Sequence, residues 1–309
     1  MFLIHPPVVK PTEPPPGIAR LSGALSAHGI QHSIIDANLE GLYHLLDENL
    51  NKSRVPYSIE VRNRGIDTWT KRALRTISTN IERLKTWDVY ANIDRYRRTV
   101  SDLNRAVNKS SDTEKMRISL VDYVHRQLSP VKSTDILFAA EHPEDNPFYP
   151  YFKKRIIEAV ENSKDKNSLI FGFSLNYLSQ VLTTFAMIGF VKDTFPKSRI
   201  TVGGGLITSW MKNPSWANPF KGLVDYPVAG PGETRLLSIL GIESLKQEHY
   251  LPCYDGFRLD GYLAPGFILA YSTSAGCYWG KCSFCPETAE GSKYRQADPD
   301  MVCRDLQTL

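Results

Sequence analysis

Three of the five cysteines fall within nine residues, Cys277-Tyr278-Trp279-Gly280-Lys281-Cys282-Ser283-Phe284-Cys285. Thiolates are soft anionic donors, and three of them on one tight loop suit a metal centre better than a disulfide framework. Cys277, Cys282 and Cys285 would hold three irons of a 4Fe-4S cube and leave the fourth iron open to a ligand offering one nitrogen and one oxygen, so the site would perform chemistry rather than only store an electron. Structural zinc is the competing reading, with Cys303 or a histidine as fourth ligand. Zinc sites usually pair two C-x-x-C elements, however, and only Cys282–Cys285 has that spacing. Free thiols require a reducing compartment, and a cytoplasmic location follows as the expectation.

The elements that must position this loop read as an α/β chain. Met1 to His5 forms a short buried strand that enters a loop holding Pro6, Pro7, Pro11, Pro14, Pro15 and Pro16, where helix is forbidden. Ile18, Leu21, Ala24 and Leu25 then recur at helical spacing, Gly29 sits at the C-terminal cap, and Gln31 to Ile35 forms a second strand. After a long gap the alternation resumes with a strand Leu169–Ser174, a helix Leu178–Phe195 and a strand Arg199–Val202 that ends in Gly203, Gly204 and Gly205. A further strand, Leu223–Val228, stops at Gly230-Pro231-Gly232-Glu233, where a helix begins. Five strands with interleaved helices predict a doubly wound, mainly parallel sheet, whose ligands sit outside the carboxyl ends of the strands.

Residues 42–165 interrupt this rhythm with a helical insertion. One apolar face runs through Ile66, Trp69, Leu74, Ile77, Ile81 and Leu84, a second through Val89, Ile93, Tyr96, Val100, Leu103 and Val107, and a third candidate helix carries Met116, Leu120, Val124 and Leu128. Residues 51–130 hold 17 Lys/Arg against 9 Asp/Glu, a local excess of 8 within a chain whose net charge is +4. A solvated face on an inserted bundle is the first reading of that excess, and a surface for an acidic or phosphorylated partner the second. Residues 241–265 read as a linker between residues 1–240 and a second domain that starts at 266. A strand, Phe267–Ser272, delivers the cysteine loop, and a helix starts after Pro299. One strand, one loop and one helix cannot close a barrel, so the second domain is expected to be truncated at Leu309.

Composition bounds the function classes. With 42% apolar, 11% aromatic and 23% charged residues the 309-residue chain can bury a sizeable core. Its 37 basic and 33 acidic side chains are too balanced to indicate a nucleic-acid surface. No apolar run reaches the length of a membrane span, and the N-terminus does not read as a signal peptide.

The cysteine loop, its small lead-in Ser274-Ala275-Gly276 and the aromatic Phe284 before the last cysteine resemble radical S-adenosylmethionine (radical SAM) enzymes. That family usually spaces its cysteines by three residues and then two; here four separate Cys277 from Cys282, and Gly280 would absorb the extra residue. Cys-Tyr-Trp-Gly-Lys-Cys resembles the subgroup with a cobalamin-binding domain upstream. So do Ile4-His5-Pro6-Pro7, Pro16-Gly17-Ile18-Ala19, Ile35-Asp36-Ala37-Asn38, Phe173-Ser174-Leu175, Val202-Gly203-Gly204-Gly205 and Gly230-Pro231-Gly232-Glu233, in that order. The resemblance spans residues 1–40, 168–240 and the cysteine loop.

The resemblance implies a Rossmann-like cobalamin-binding domain followed by the first part of a radical SAM (β/α) barrel. Its cofactors would be a 4Fe-4S cluster, S-adenosylmethionine and cobalamin. Cys277, Cys282 and Cys285 would ligate iron, with Tyr278, Trp279 and Phe284 beside the cluster or simply filling the core. Gly203, Gly204 and Gly205 would let backbone approach the corrin's nucleotide tail, and Ser174 would hydrogen-bond its displaced base. The D-x-H-x-x-G motif of histidine-ligated cobalamin is absent after the first strand. Asp36-Ala37-Asn38-Leu39-Glu40-Gly41 imitates its spacing with asparagine and reads as a strand-end loop. The implied activity is reductive cleavage of S-adenosylmethionine to a 5'-deoxyadenosyl radical and methylation of an unactivated carbon in a peptide or small natural product, with an electron donor such as flavodoxin or ferredoxin. A radical enzyme that does not use cobalamin, a non-enzymatic cobalamin carrier or sensor, and a zinc-bound interaction module stand as alternatives.

Overall fold

The computed structural model describes residues 1–54, 67–111, 113–164, 166, 168–243, 249–283, 285 and 293–309, with backbone alone for 48–54. The chain opens with β1 (Phe2–Ile4), α1 (Pro16–Ala27), β2 (Ser33–Ile35) and α2 (Ala37–Arg54). Pro16 opens α1, where its missing N–H and fixed φ carry no penalty. Helices α3 (Thr68–Arg75), α4 (Ile77–Leu84), α5 (Trp87–Tyr90) and α6 (Ile93–Lys109) follow. Next come a hairpin of β3 (Met116–Ile118) and β4 (Tyr123–His125), then α7 (Ser133–Glu141) and α8 (Tyr149–Glu161). The α/β alternation returns as β5 (Ile170–Ser174), α9 (Leu178–Thr194), β6 (Arg199–Gly203), α10 (Gly205–Lys212), β7 (Tyr226–Pro227) and α11 (Glu233–Ile239). Two short strands, β8 (Ser274–Ala275) and β9 (Arg295–Gln296), and α12 (Pro299–Thr308) complete the described elements.

Five strands form one all-parallel sheet in the order β2-β1-β5-β6-β7. Side chains alternate between its two faces, and the sequence obeys that period of two. Phe2, Ile4, Ile35, Phe171, Phe173, Ile200 and Val202 enter a large core with Val181, Phe185 and Ile188 of α9. Leu3 and Ile34 point the other way, into a smaller core with Ile18 and Leu25 of α1 and Leu236 and Leu237 of α11. Helices therefore cover both faces, as a parallel sheet requires. The order reverses at β1, whose neighbours are β2 on one side and β5 on the other, which makes the β1/β5 boundary the switch point of the sheet.

The insertion joins the large core rather than forming a separate one, since Ile77, Leu84, Leu103, Val107, Met116 and Ile118 pack in the same cluster as Phe171. Asp67 and Asn92 cap α3 and α6 by accepting from Trp69 and Thr70 and from Asp94 and Arg95. The first apolar face is split at Thr76 into α3 and α4, and Ile66 lies outside the described residues. The third candidate helix is instead the β3–β4 hairpin. Positions 116, 120, 124 and 128 are spaced by four, which is also a multiple of two, so the pattern fits both periods. What decides is the turn: Ser119 Oγ accepts from Val121 N at 3.3 Å and Asp122 N at 3.0 Å, while Ile118 and Tyr123 are buried across from each other and Val124 is exposed.

Two further expectations are corrected. No strand forms at Phe267–Ser272; Phe267 is 72% exposed, and the segment has no neighbouring strand among the described residues to complete its ladder. Of the expected linker 241–265, residues 249–265 dock on the sheet domain. Cys253 N donates to Ala19 O at 2.9 Å, Leu263 N to Pro11 O at 2.8 Å and Tyr43 OH to Gly261 O at 2.8 Å, and Tyr254, Tyr262, Leu263 and Ala264 are buried. The expected strand Leu223–Val228 shrinks to Tyr226–Pro227, an edge strand where proline needs no outward hydrogen bond.

Candidate functional site

A cleft of about 190 Å³ opens at the carboxyl ends of β5, β6 and β7, between the sheet and the pair α1 and α11. Its floor is Leu3, Gly172 and Thr201, three residues in register on the face that carries the smaller core. Glycine at 172 leaves the space there: a Cβ would stand 3.3 Å from Thr201 Cγ2 and 3.4 Å from Leu3 Cδ2. The walls are Gly17 and Leu21 on α1, Ser174 and Asn176 after β5, Gly203 and Gly204 after β6, and the Gly230-Pro231-Gly232 turn. Arg20 and Glu233 pair across its mouth.

The turns hold each other in place. Gly204 runs at φ +111°, and a Cβ there would stand 2.4 Å from Leu175 O and 2.7 Å from Asn176 Oδ1, so only glycine fits. Asn176 fixes both neighbours, accepting from Gly205 N at 2.9 Å through Oδ1 and donating to Ser174 Oγ at 3.0 Å through Nδ2. Thr208 Oγ1 donates to Gly204 O and accepts from Gly230 N, each at 2.9 Å, which joins the second glycine turn to the third. Gln180, fully buried, accepts from Asn176 N at 2.9 Å and donates to Pro6 O at 2.8 Å, tying the end of β5 to the end of β1.

Of the residues singled out for the tail of a cofactor, Ser174, Gly203 and Gly204 line the cleft. Gly205 does not; it is the first residue of α10, and its N–H is taken by Asn176. Gly172, Thr201 and Asn176 escaped the sequence reading. An isolated glycine inside a strand is the one signal that could have pointed to Gly172, since it marks a close approach. Asp36-Ala37-Asn38 is not a strand-end loop but the start of α2: Asp36 Oδ1 accepts from Leu39 N, and Asn38 clamps Val9 through N–H···O bonds in both directions at 2.8 and 2.9 Å. His5, 6% exposed, follows β1, and its Nδ1 has no hydrogen-bond partner among the described residues; burial lowers its pKa, and Asp36 opposes that shift only in part.

The cysteine loop lies between β8 and β9. Gly276 and Gly280 take positive φ at +75° and +58°, Cys285 N donates to Cys282 O at 3.3 Å, and all three cysteines are half-buried free thiols. Tyr278 is 84% exposed and Trp279 57%, so neither fills a core, and Phe284 lies outside the described residues. Among the described residues no three His, Cys, Asp or Glu side chains gather closely enough to hold a metal ion. Thiolates are donors for an iron-sulfur cluster and for zinc alike, and Cys303 stands exposed on α12. Comparison with family models, characterised proteins and solved structures finds no match for this chain. No helix among the described residues is long and apolar enough to cross a membrane.

Proposed function

We propose that the chain belongs to a cobalamin-dependent radical SAM enzyme, with cobalamin in the sheet-edge cleft and a 4Fe-4S cluster on Cys277, Cys282 and Cys285, acting in methylation of an unactivated carbon of a peptide or small natural product. The observation that carries this reading is convergence: Gly17, Ser174, Gly203–Gly204 and Gly230–Gly232, taken from four separate motifs of the resemblance, line one cleft beside the switch point of the sheet. Backbone walls admit a flat aromatic base where side chains would exclude it, which supports placing the tail of the cofactor in this cleft. When bound, the cluster would supply the electron for cleaving S-adenosylmethionine and the cobalamin the methyl group.

The chain's own residues bind and orient. Ser174 Oγ accepts from Asn176, which leaves its O–H free to donate to a ring nitrogen of the base. The Arg20–Glu233 pair closes the mouth of the cleft. No histidine is needed as a cobalt ligand, and Asn38, at the position imitating that motif, is committed to Val9. The partners of this reading are the substrate and a reducing protein such as flavodoxin or ferredoxin.

Anaerobic reconstitution with iron, sulfide and hydroxocobalamin tests it. Iron and sulfide should load together and be lost on Cys277→Ala, Cys282→Ala or Cys285→Ala. Gly17→Leu, whose side chain would extend from a Cβ 3.8 Å from Ser174 Oγ without backbone strain, should abolish cobalamin binding and keep the iron. Retained cobalamin affinity in Gly17→Leu, or zinc in place of iron on the cysteines, would overturn the assignment.

A further inference from the structure

The helical insertion contains a second, larger cleft of about 670 Å³ between α3, α4 and α6, within the range of small-molecule sites. Its buried wall is fixed by a two-point ion pair: Arg72 Nη2 and Nε meet Asp102 Oδ1 and Oδ2 at 2.5 and 3.2 Å, and Asp102 is 4% exposed. Arg95 reaches Asp88 at 3.5 Å near the rim. Arg83 from α4 and Arg98 from α6 also line the cleft, and neither has a carboxylate partner among the described residues.

The floor is polar and incompletely satisfied. Thr99 is 3% exposed, lines the cleft, and its hydroxyl has no hydrogen-bond partner among the described residues. Asn80, 2% exposed, donates through Nδ2 to Thr76 Oγ1 at 3.0 Å, while its Oδ1 accepts from none of the described residues. Neither atom is sealed from solvent, so both open into the cleft, where a ligand beside the two unpaired guanidinium groups could pair with them.

We infer that this cleft binds a phosphate monoester of a polar small molecule, with the phosphate between Arg83 and Arg98 and the polar body on Asn80 and Thr99. Two free guanidinium groups can each offer a fork of N–H donors to the oxygens of a phosphate monoester, which carries roughly −1.5 to −2 at neutral pH. Of the lining carboxylates, Asp102 is engaged by Arg72 and Asp88 by Arg95, while Asp94, in the first turn of α6, offsets one of the two remaining cations, so the preference for phosphate rests on the guanidinium forks more than on net charge. The site is separate from the sheet-edge cleft and does not depend on its cofactor.

Titration calorimetry on the full chain tests the assignment with ribose 5-phosphate, adenosine 5'-monophosphate, inorganic phosphate and citrate. A phosphate monoester should bind more tightly than inorganic phosphate, and Arg83→Gln and Arg98→Gln should each weaken it at least about tenfold. Both arginines are exposed, and unchanged far-UV circular dichroism will show that the variants fold. Thr99→Val should weaken the organic phosphates and leave inorganic phosphate unaffected. No binding of any phosphate, affinities indifferent to both arginine substitutions, or citrate binding without phosphate binding would each overturn the inference.

Discussion

At Gly204 the obstacle to a side chain is backbone, the Leu175 carbonyl 2.4 Å from where a Cβ would stand, and the φ of +111° adds strain. Neither can be relieved by turning a rotamer. Gly204→Ala is therefore expected to lose about 1–3 kcal/mol in urea unfolding, whereas Gly17→Ala, with only Ser174 Oγ at 3.8 Å, should be nearly neutral. His5 offers a pH test. Its folded-state pKa lies below the ordinary 6.5 because burial penalises the imidazolium more than Asp36 favours it. The unfolded chain then binds more protons, so stability is complete above about pH 6.5 and falls as pH drops from there toward the folded value. His5→Gln should flatten that decline in denaturation midpoints measured between pH 7 and 5, and an equally steep decline in the variant would count against the account.

Helices α7 and α9 meet through a glycine. A Cβ on Gly189 would stand 1.8 Å from Ala140 O, so the two backbones are closer than any side chain permits. Gly189 sits in the middle of α9, where glycine weakens a helix by about 1 kcal/mol, and the close contact with α7 is what it allows in return. Replacing it with alanine should improve the propensity of the isolated helix and still destabilise the protein by about 1–3 kcal/mol, since the helices must part. Thermal unfolding of Gly189→Ala measures the balance; a raised Tm would mean that the helices separate at little cost. The same reasoning explains why α9, apolar almost all round, is buried along most of its length: the sheet takes one side and α7 and α8 the other.

The segment 249–265 ties the sheet domain together from outside. Gly23 lies so near Leu251 O that a Cβ would stand 1.9 Å away, and Tyr262 OH donates to the buried Asp36 Oδ2 at 2.5 Å, with burial and that carboxylate both raising the tyrosine pKa. Proteolysis needs locally opened backbone, and a docked segment resists it. In a timed trypsin digest, cleavage at Lys281, on the loop beside the exposed Trp279, should precede cleavage at Arg258, as followed by mass spectrometry. Earlier cleavage at Arg258 would show that the docking is weak. Farther along, Tyr271 and His249 both donate to Asp305 at 2.5 Å; burial opposes the Asp305 charge, yet these bonds hold its pKa below the usual carboxylate value and fasten α12 to the preceding segments.

The sequence by itself determined what periodicity and local chemistry control: the parallel strands with their helices, the insertion between the second and third sheet strands, the helix at Pro299 and the glycine turns after β6 and before α11. These follow from hydrophobic period and from backbone angles that few residues adopt. Tertiary structure decided the rest. A spacing of four cannot separate helix from hairpin at Met116–Leu128 until the Ser119 turn is seen, and Phe267–Ser272 is apolar enough for a strand yet has none beside it among the described residues. The cleft shows the same division, since its glycines are visible in the chain whereas Thr201 and Gly172 enter it only because the register sets them beside Leu3 on one face. Sheet register and packing distance depend on residues far apart in sequence, and local spacing carries no record of either.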